Sequence, residues 1–377
     1  MALSVHTSAV DLGAFRLESG QRLPAVHLAY EAYGRLNAAG TNAVLVEHAL
    51  TGDSHVASAG VDGSGAFAPG WWEAVVGPGR AIDTDEFFVV CANTLGGCSG
   101  STGPASTAAD GLPYGSRFPR VGIRDMARAE LALSDALGIE RWHAVIGGSM
   151  GGARALELAL LAPQRVARAG ILAAPAYSQA DQIAWAHAQL RAIRMDPDYC
   201  GGDYAALGRC PAAGLGLARQ IAHLTYRADA DLNERFGRDL QPGASAEAGA
   251  RAGAVPSAGA GAQGAYAIES YLDYQANKLV ARFDANSYAV LTAALRDHDV
   301  RRGRSADLAE ALAGARCRFS VAALSSDRLY PPGQVEQLAQ ALPGRVDYAL
   351  IATAAGHDGF LTESHAVGEV LAALLAH

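Results

Sequence analysis

The chain has 377 residues, half of them hydrophobic, and its 30 basic and 38 acidic side chains give a formal net charge of −8. A chain of this length is expected to form one large domain with an insertion, or two domains. The acidic balance argues against a general nucleic-acid binder, although a local basic groove for a phosphorylated substrate stays open. No apolar run approaches the roughly 20 residues of a membrane span, so we expect no membrane association.

The N-terminal residues and the cysteines indicate a cytoplasmic protein. Residues 1–8 have neither a basic segment nor an apolar core, so no signal peptide is expected. The chain has five cysteines and no C-x-x-C pair, which predicts reduced thiols, not a disulfide framework or a zinc site.

Strand and helix patterns alternate along the first part of the chain. Residues 1–40 alternate apolar and polar side chains, which predicts antiparallel edge strands with a hairpin turn near Gly20. Apolar residues at helical spacing predict a helix over residues 122–137. The apolar runs that predict buried parallel strands span residues 42–47, 87–92, 143–146 and 169–174. Such alternation predicts a mostly parallel α/β sheet.

The pattern changes in the middle of the chain. Residues 178–300 are mainly helical in pattern, which predicts a cap inserted into an α/β core of residues 1–177 and 301–377. Within the cap, residues 241–263 are dominated by Gly and Ala and predict a flexible low-complexity loop. Beyond the cap, the chain predicts strands at 317–324 and 347–351 and a final helix at 363–375.

The stretch from His143 to Leu158 has the pattern of a nucleophile elbow. An apolar run leads into GGSMGG at residues 147–152, and good helix formers follow. Small residues allow a sharp turn that exposes the hydroxyl of Ser149, and the N-terminus of the next helix favours negative charge there. A glycine-rich structural turn is the alternative, and the strand-to-helix context favours the elbow.

A serine hydroxyl needs a base and a third group that orients the base. His357 follows a predicted strand and a glycine, and Asp327 also follows a predicted strand. The order Ser149, Asp327, His357 is that of an α/β-hydrolase triad, in which the histidine moves the proton and the aspartate holds its tautomer. Asp358 is the alternative acid. Because adjacent side chains in an extended loop point apart, we expect Asp358 to face the substrate instead.

Backbone amides are expected to stabilise the oxyanion. The N–H of Met150, directly after the nucleophile, is one candidate, and the loop at 49–51 after an early strand supplies the other. For that loop, an ordinary strand-to-helix connection is the alternative. His48 and His55 flank a Gly-Asp turn, but no third ligand stands at useful spacing, so metal binding is not expected.

Short motifs spread along nearly the whole chain match one enzyme family. They include HALTGDSHV at 48–56, LGGC at 95–98, IGGSMGG at 146–152, RFDANSY at 282–288 and GHD at 356–358. With these motifs the chain resembles the homoserine O-acetyltransferases of the α/β-hydrolase fold. The resemblance implies the triad Ser149, Asp327 and His357, with oxyanion amides at Leu50 and Met150.

The resemblance also implies how an acceptor would bind. The family's homoserine contacts fall on Arg219, Tyr226, Asp358 and Thr51. Arg219 can hold the carboxylate of homoserine, and Asp358 can accept from its ammonium group. Taken alone, Arg219 and Tyr226 are seven residues apart and could share one face of a cap helix, or simply lie on a solvated surface.

The acyl donor is inferred from one position. In family members that use a succinyl donor, an arginine stands two residues after the triad aspartate, whereas here the residue is Leu329. An apolar side chain offers nothing to a carboxylate, so we predict acetyl-CoA as co-substrate, with no bound cofactor. Arg328, one position away, keeps a succinyl donor open.

The predicted reaction is ping-pong transfer of acetyl from acetyl-CoA to L-homoserine through an acyl-serine, and the family implies a homodimer formed through the cap helices. Homoserine O-succinyltransferase, serine O-acetyltransferase and esterase or hydrolase activity stay open as alternatives, as does a catalytically inactive scaffold.

Overall fold

An eight-stranded sheet forms the centre of the computed structural model, which describes residues 5–58, 69–241 and 265–376. Its strands, in chain order, are β1 (Val5–Asp11), β2 (His27–Tyr33), β3 (Ala43–Glu47), β4 (Phe88–Ala92), β5 (Ala144–Gly148), β6 (Arg168–Leu172), β7 (Arg318–Leu324) and β8 (Val346–Ile351). Their spatial order is β1-β2-β4-β3-β5-β6-β7-β8. β1–β2 and β2–β4 pair antiparallel, and all other neighbours pair parallel. The predicted α/β-hydrolase sheet is therefore confirmed.

The central strands are apolar because both faces of the sheet are covered. Every residue of β3 and β5 is buried. Leu45 and Val145 belong to the apolar core on one face, while Val44 and Ile146 belong to the core on the other. A parallel strand buried on both faces reads as a continuous apolar run, which is why these strands were visible in the sequence.

Helices cover the sheet, and several of them pack mainly on one another. In chain order they are α1 (Ile123–Ala136), α2 (Met150–Leu161), α3 (Ala180–Met195), α4 (Ala212–Tyr226), α5 (Asp229–Phe236), α6 (Ala267–Val280), α7 (Ala285–Arg296), α8 (Leu308–Leu312), α9 (Pro332–Ala341), α10 (Gly359–Thr362) and α11 (Ser364–Leu375). None of these helices in the described ranges is long and apolar enough to cross a membrane.

Helices α3 to α7 lie between β6 and β7 in the chain and pack on one another, α3 against α4 and α7, and α4 against α6. The chain enters and leaves this helical segment side by side. The N–H of Ser178 donates to the carbonyl of His298 at 3.0 Å, and that of Val300 donates to Ala176 at 3.1 Å. This short antiparallel contact brings the two ends of the helical segment together, and the domain boundaries stay a prediction. The predicted loop at 241–263 lies outside the described residues, apart from Gln241.

The N-terminal hairpin also forms as the sequence indicated. Phe15–Arg16 pairs antiparallel with Arg22–Leu23, and Gly20 in the turn has a φ of 85°. A positive φ of this size favours glycine, which explains the residue at this turn.

Candidate active site

Ser149 occupies a strained turn between β5 and α2. Its φ of 58° and ψ of −122° are unusual for a residue with a side chain, and such strain collects at functional sites. The N–H of Ser149 donates to Leu172 at 2.9 Å, and its carbonyl accepts from Ala153 at 3.1 Å. The adjacent strand β6 and the first turn of α2 thus hold the serine at the edge of the sheet.

Two glycines permit this turn by having no side chain. A Cβ at Gly147 would lie 2.3 Å from the carbonyl carbon of Gly151. A Cβ at Gly151 would lie 2.0 Å from the carbonyl oxygen of Glu47. The second contact shows that the end of β3 packs directly against the start of α2. It brings the loop after β3 close to the nucleophile.

The structure joins Ser149, His357 and Asp327 in one hydrogen-bonded chain. Nε2 of His357 lies 2.8 Å from Oγ of Ser149, and its Nδ1 lies 2.7 Å from Oδ2 of Asp327. All three residues are buried, with His357 only 2% exposed. This is the geometry in which an imidazole can take the serine proton while a carboxylate holds its tautomer.

Backbone amides fix the carboxylate of Asp327. Its Oδ1 accepts from the N–H groups of Leu329 at 2.8 Å and Tyr330 at 2.9 Å, which leaves Oδ2 for His357. Burial opposes the charged imidazolium, but the charge and hydrogen bond of Asp327 outweigh it and raise the pKa of His357. Protonated His357 is therefore well stabilised during the reaction.

The prediction of an extended loop at His357 is wrong. Residues Gly356–Asp358 form a 3₁₀ turn, and Gly356 has a φ of 72°. A Cβ at Gly356 would lie 2.6 Å from the backbone oxygen of Tyr226, so the turn packs directly under α4. This packing was invisible in the sequence. Of the two carboxylates, Asp327 and not Asp358 hydrogen-bonds to His357 in this turn.

The two predicted oxyanion amides lie in the expected elements. Met150 is the first residue of α2, and Leu50 lies in the buried loop after β3. In the part of the chain that the structure describes, no hydrogen bond uses either N–H. Their role in holding an oxyanion stays a prediction.

The predicted acceptor-binding residues form two groups beside the triad. The guanidinium of Arg219 lies 5.5 Å from the ring centre of Tyr226, and its Nη1 lies 3.4 Å from Oγ1 of Thr51. Nε of Arg219 is buried and has no hydrogen-bond partner among the described residues. The Tyr226 ring lies 5.8 Å from the ring of His357. One face of α4 thus carries Arg219 and Tyr226 towards the triad, the first of the two alternatives that their seven-residue spacing left open.

Asp358 forms an ion pair with Arg227, a residue that was not among the predicted site residues. Oδ2 of Asp358 lies 3.6 Å from Nη1 of Arg227, and Arg227 also binds Asp231 through two hydrogen bonds of 2.8 and 2.6 Å. Burial raises the pKa of Asp358, although the charges of His357, Arg219 and Arg227 oppose that shift. The position of Arg227 directly after Tyr226, at the end of a cap helix, was the available signal.

A cavity of about 40 Å³ lies next to the triad, under the cap helices α3, α4 and α7. Its walls include Leu50, Tyr226, Leu329 and Tyr330. The triad side chains do not line it, but the rings of Tyr226 and Tyr330 both contact His357, at 5.8 and 5.3 Å. Leu329 therefore faces the cavity, whereas the adjacent Arg328 is exposed.

A fully buried ionic cluster lies behind the elbow, and it was not predicted. Nε of Arg154 on α2 donates to Glu47 at 2.9 Å and lies 3.0 Å from a carboxylate oxygen of Glu130. Burial, together with the charge of Glu130, raises the pKa of Glu47 well above its ordinary value, although the Arg154 charge opposes this shift. The signal was a charged residue closing an otherwise apolar strand. Within the described ranges, no group of three or more His, Cys, Asp or Glu side chains could hold a metal ion.

Comparison with known proteins places this geometry among enzymes of one fold. Residues 42–364 match the alpha/beta hydrolase fold family. A homoserine O-acetyltransferase of Thermobifida fusca is 54% identical over 361 residues, covering 96% of this chain and 91% of the relative. The crystal structure of a homoserine O-acetyltransferase from Bacillus anthracis has a TM-score of 0.88 at 25% identity, covering 99% of this chain and 98% of that one. Esterase E22 has a TM-score of 0.85 at 26% identity, covering 99% and 100%.

Proposed function

Because this chain belongs to the homoserine O-acetyltransferase family of the α/β-hydrolase fold, we propose that it transfers the acetyl group of acetyl-CoA to the hydroxyl of L-homoserine. The observation that carries the mechanism is the buried hydrogen-bonded chain from Ser149 through His357 to Asp327.

The first half-reaction acetylates the enzyme. Nε2 of His357 takes the proton of Ser149 as Oγ attacks the thioester carbonyl, and the N–H groups of Leu50 and Met150 bind the oxyanion. The C–S bond then breaks, His357 protonates the thiolate, and CoA leaves. Acetyl-CoA enters as a co-substrate, and the step needs no bound cofactor.

The second half-reaction uses the same base in the opposite order. His357 takes the proton of the homoserine hydroxyl, which attacks the acetyl carbonyl, and the proton returns to Ser149 as the acyl–oxygen bond breaks. The product is O-acetyl-L-homoserine. Transfer requires that water be kept from the acyl-serine, and the buried triad under the cap helices supports that exclusion.

The charged groups around the triad suit a zwitterionic acceptor. Arg219 offers to the carboxylate of homoserine a buried Nε that has no hydrogen-bond partner among the described residues, with Thr51 beside it. Asp358 offers its carboxylate to the ammonium group, and Arg227 holds that carboxylate in place. Both charges lie near Tyr226, whose ring lies 5.8 Å from the ring of the base. Binding at both ends places the hydroxyl at His357.

The side chain at position 329 supports the choice of acyl donor. A succinyl donor would need a cation at this position to bind its carboxylate. Leu329 faces the cavity instead, and its apolar side chain favours an acetyl donor. Arg328, whose charge kept a succinyl donor open, is exposed and does not line that cavity. We also propose a homodimer assembled through the cap helices, which sedimentation of the purified protein would test, and a cytoplasmic location.

Esterase activity is the second candidate, since esterase E22 has a similar structure. Product analysis separates the two. Acetyl-CoA with L-homoserine should yield CoA and O-acetyl-L-homoserine in equal amounts, and parallel reactions with serine or succinyl-CoA should be slower. Free acetate without O-acetyl-L-homoserine would contradict the transferase assignment.

A further inference from the structure

His48 lies directly after β3 and is almost fully buried, with 1% of its surface exposed. Both ring nitrogens contact backbone groups. Nε2 accepts from the N–H of Thr94 at 3.0 Å, and Nδ1 lies 2.7 Å from the carbonyl oxygen of Ala49. Since an amide N–H can only donate, Nε2 must be unprotonated, so Nδ1 carries the hydrogen and donates to Ala49.

The carbonyl of Ala49 belongs to the same peptide unit as the N–H of Leu50. In a planar trans peptide these two groups point in opposite directions, so a contact that fixes the carbonyl also fixes the N–H. The same carbonyl accepts from the N–H of Gly52 at 2.9 Å. Hydrogen bonds accepted by a carbonyl polarise the amide, which makes its N–H a better donor.

From this geometry we propose that His48 is a positioning residue of the oxyanion hole. Its Nδ1–H holds the Ala49–Leu50 peptide so that the Leu50 N–H faces the developing oxyanion on the Ser149 adduct. The inference rests on the proposed acyl transfer and deepens it. His48 itself does not touch the substrate in this account.

The surrounding structure supports the role from two sides. A Cβ at Gly52 would lie 2.8 Å from Cβ of His48, so the loop folds tightly over the ring. On the other side, Nη1 of Arg154 donates to the carbonyl of His48 at 3.3 Å. Arg154 stands on α2, the helix whose first amide is Met150. One guanidinium therefore ties the loop that carries one oxyanion donor to the helix that carries the other.

The ring is suited to this role because it stays neutral. Burial lowers the pKa of His48 to about 3, and the charge of Arg154 acts in the same direction. The tautomer that donates to Ala49 therefore persists at any pH used for assay. Because both ring nitrogens already bond to backbone groups, His48 has no free nitrogen to act as a second base, which separates it from His357.

Two substitutions separate the two contacts of the ring. His48→Asn places an amide N–H near the position of Nδ1 and keeps the donor to Ala49. His48→Gln places its amide near the position of Nε2, which keeps the Thr94 contact and loses the donor to Ala49. Both variants are neutral and buried at the same site. They form a matched pair that differs in whether the carbonyl of Ala49 still receives a hydrogen bond from residue 48.

The experiment measures acylation of Ser149 by p-nitrophenyl acetate as a burst of p-nitrophenol, with thermal unfolding as a control. Loss of one oxyanion donor costs about 10²–10³ in rate, so a misaligned donor in His48→Gln should slow acylation by about 10- to 100-fold. His48→Asn should keep most of the acylation rate of the unmodified protein. In both variants KM for p-nitrophenyl acetate should stay within about twofold of its value in the unmodified protein. A trifluoromethyl ketone, whose adduct carries an oxyanion, should lose affinity in parallel with the rate.

Equal acylation rates in both variants, or equal losses that follow the unfolding temperature, would overturn the positioning role. A loss confined to KM would overturn it too. Because the burst needs neither CoA nor homoserine, it is independent of the acceptor. If the unmodified protein shows the burst but makes no O-acetyl-L-homoserine, the proposed function fails while the role of His48 is still decided by the two variants.

Discussion

Replacing Asp327 with asparagine should nearly abolish acyl transfer without removing any atom contact from the site. The structure determines how the new amide must face. Oδ1 of Asp327 accepts from the N–H groups of Leu329 and Tyr330 at 2.8 and 2.9 Å, so an oxygen must remain on that side. The amide NH₂ of Asp327→Asn must then face Nδ1 of His357.

This orientation inverts the tautomer of the base. An NH₂ group can only donate, so Nδ1 of His357 becomes the acceptor and Nε2 carries the hydrogen. Nε2 can then no longer accept the proton of Ser149, from which it is 2.8 Å away. A wrong tautomer in a Ser-His-Asp triad lowers kcat by about 10⁴-fold, or about 5.4 kcal/mol of transition-state stabilisation.

The assay is release of CoA from acetyl-CoA in the presence of L-homoserine. Asp358→Asn is the matched control, because it makes the same chemical change one residue from His357. It should mainly raise KM for homoserine. If Asp327→Asn keeps more than about a tenth of the activity, where the tautomer argument leaves about 10⁻⁴, or if the control is the more damaging of the two, the assignment of the triad acid is wrong.

Three other measurements probe separate parts of the site. Arg219→Ala should raise KM for homoserine by about 10- to 100-fold, because a charge-assisted contact contributes about 1.5–3 kcal/mol. Acetylation of Ser149 by acetyl-CoA should persist in this variant, and its loss would contradict the role of Arg219 in binding the acceptor. Leu329→Arg should shift the kcat/KM ratio towards succinyl-CoA, and Arg328→Ala should not alter it, since residue 329 lines the cavity and the exposed residue 328 does not. The base must be neutral to act, and Asp327 raises the pKa of His357. Activity with acetyl-CoA should therefore fall, as pH decreases, with a midpoint above the ordinary value of about 6.5; a lower midpoint would refute this.

The sequence predicted what strand periodicity and glycine spacing control. The apolar runs located the parallel strands, and the context of GGSMGG located the elbow, because a sharp turn between a buried strand and a helix requires small residues. Triad order followed from the positions of Asp327 and His357 after predicted strands. These features are local, so a linear pattern records them.

Contacts between distant segments could not be predicted in the same way. The packing of Gly356 under α4 depends on where the cap helix ends, and it converts an expected extended loop into a 3₁₀ turn. The ion pair of Arg227 with Asp358 joins the cap to the far end of the core domain. The burial of Arg154 against Glu47 depends on the closeness of β3 and α2. All three are tertiary contacts. For the two ion pairs the sequence offers only an unusually placed charge, and for the turn it offers only a glycine.

The most direct test of the account is mass spectrometry of the protein after incubation with acetyl-CoA and no acceptor. The account predicts one acetyl group on Ser149, its discharge as O-acetyl-L-homoserine when L-homoserine is added, and no such group in Ser149→Ala. An acetyl group that persists in Ser149→Ala, or product formation at an undiminished rate by that variant, would contradict it.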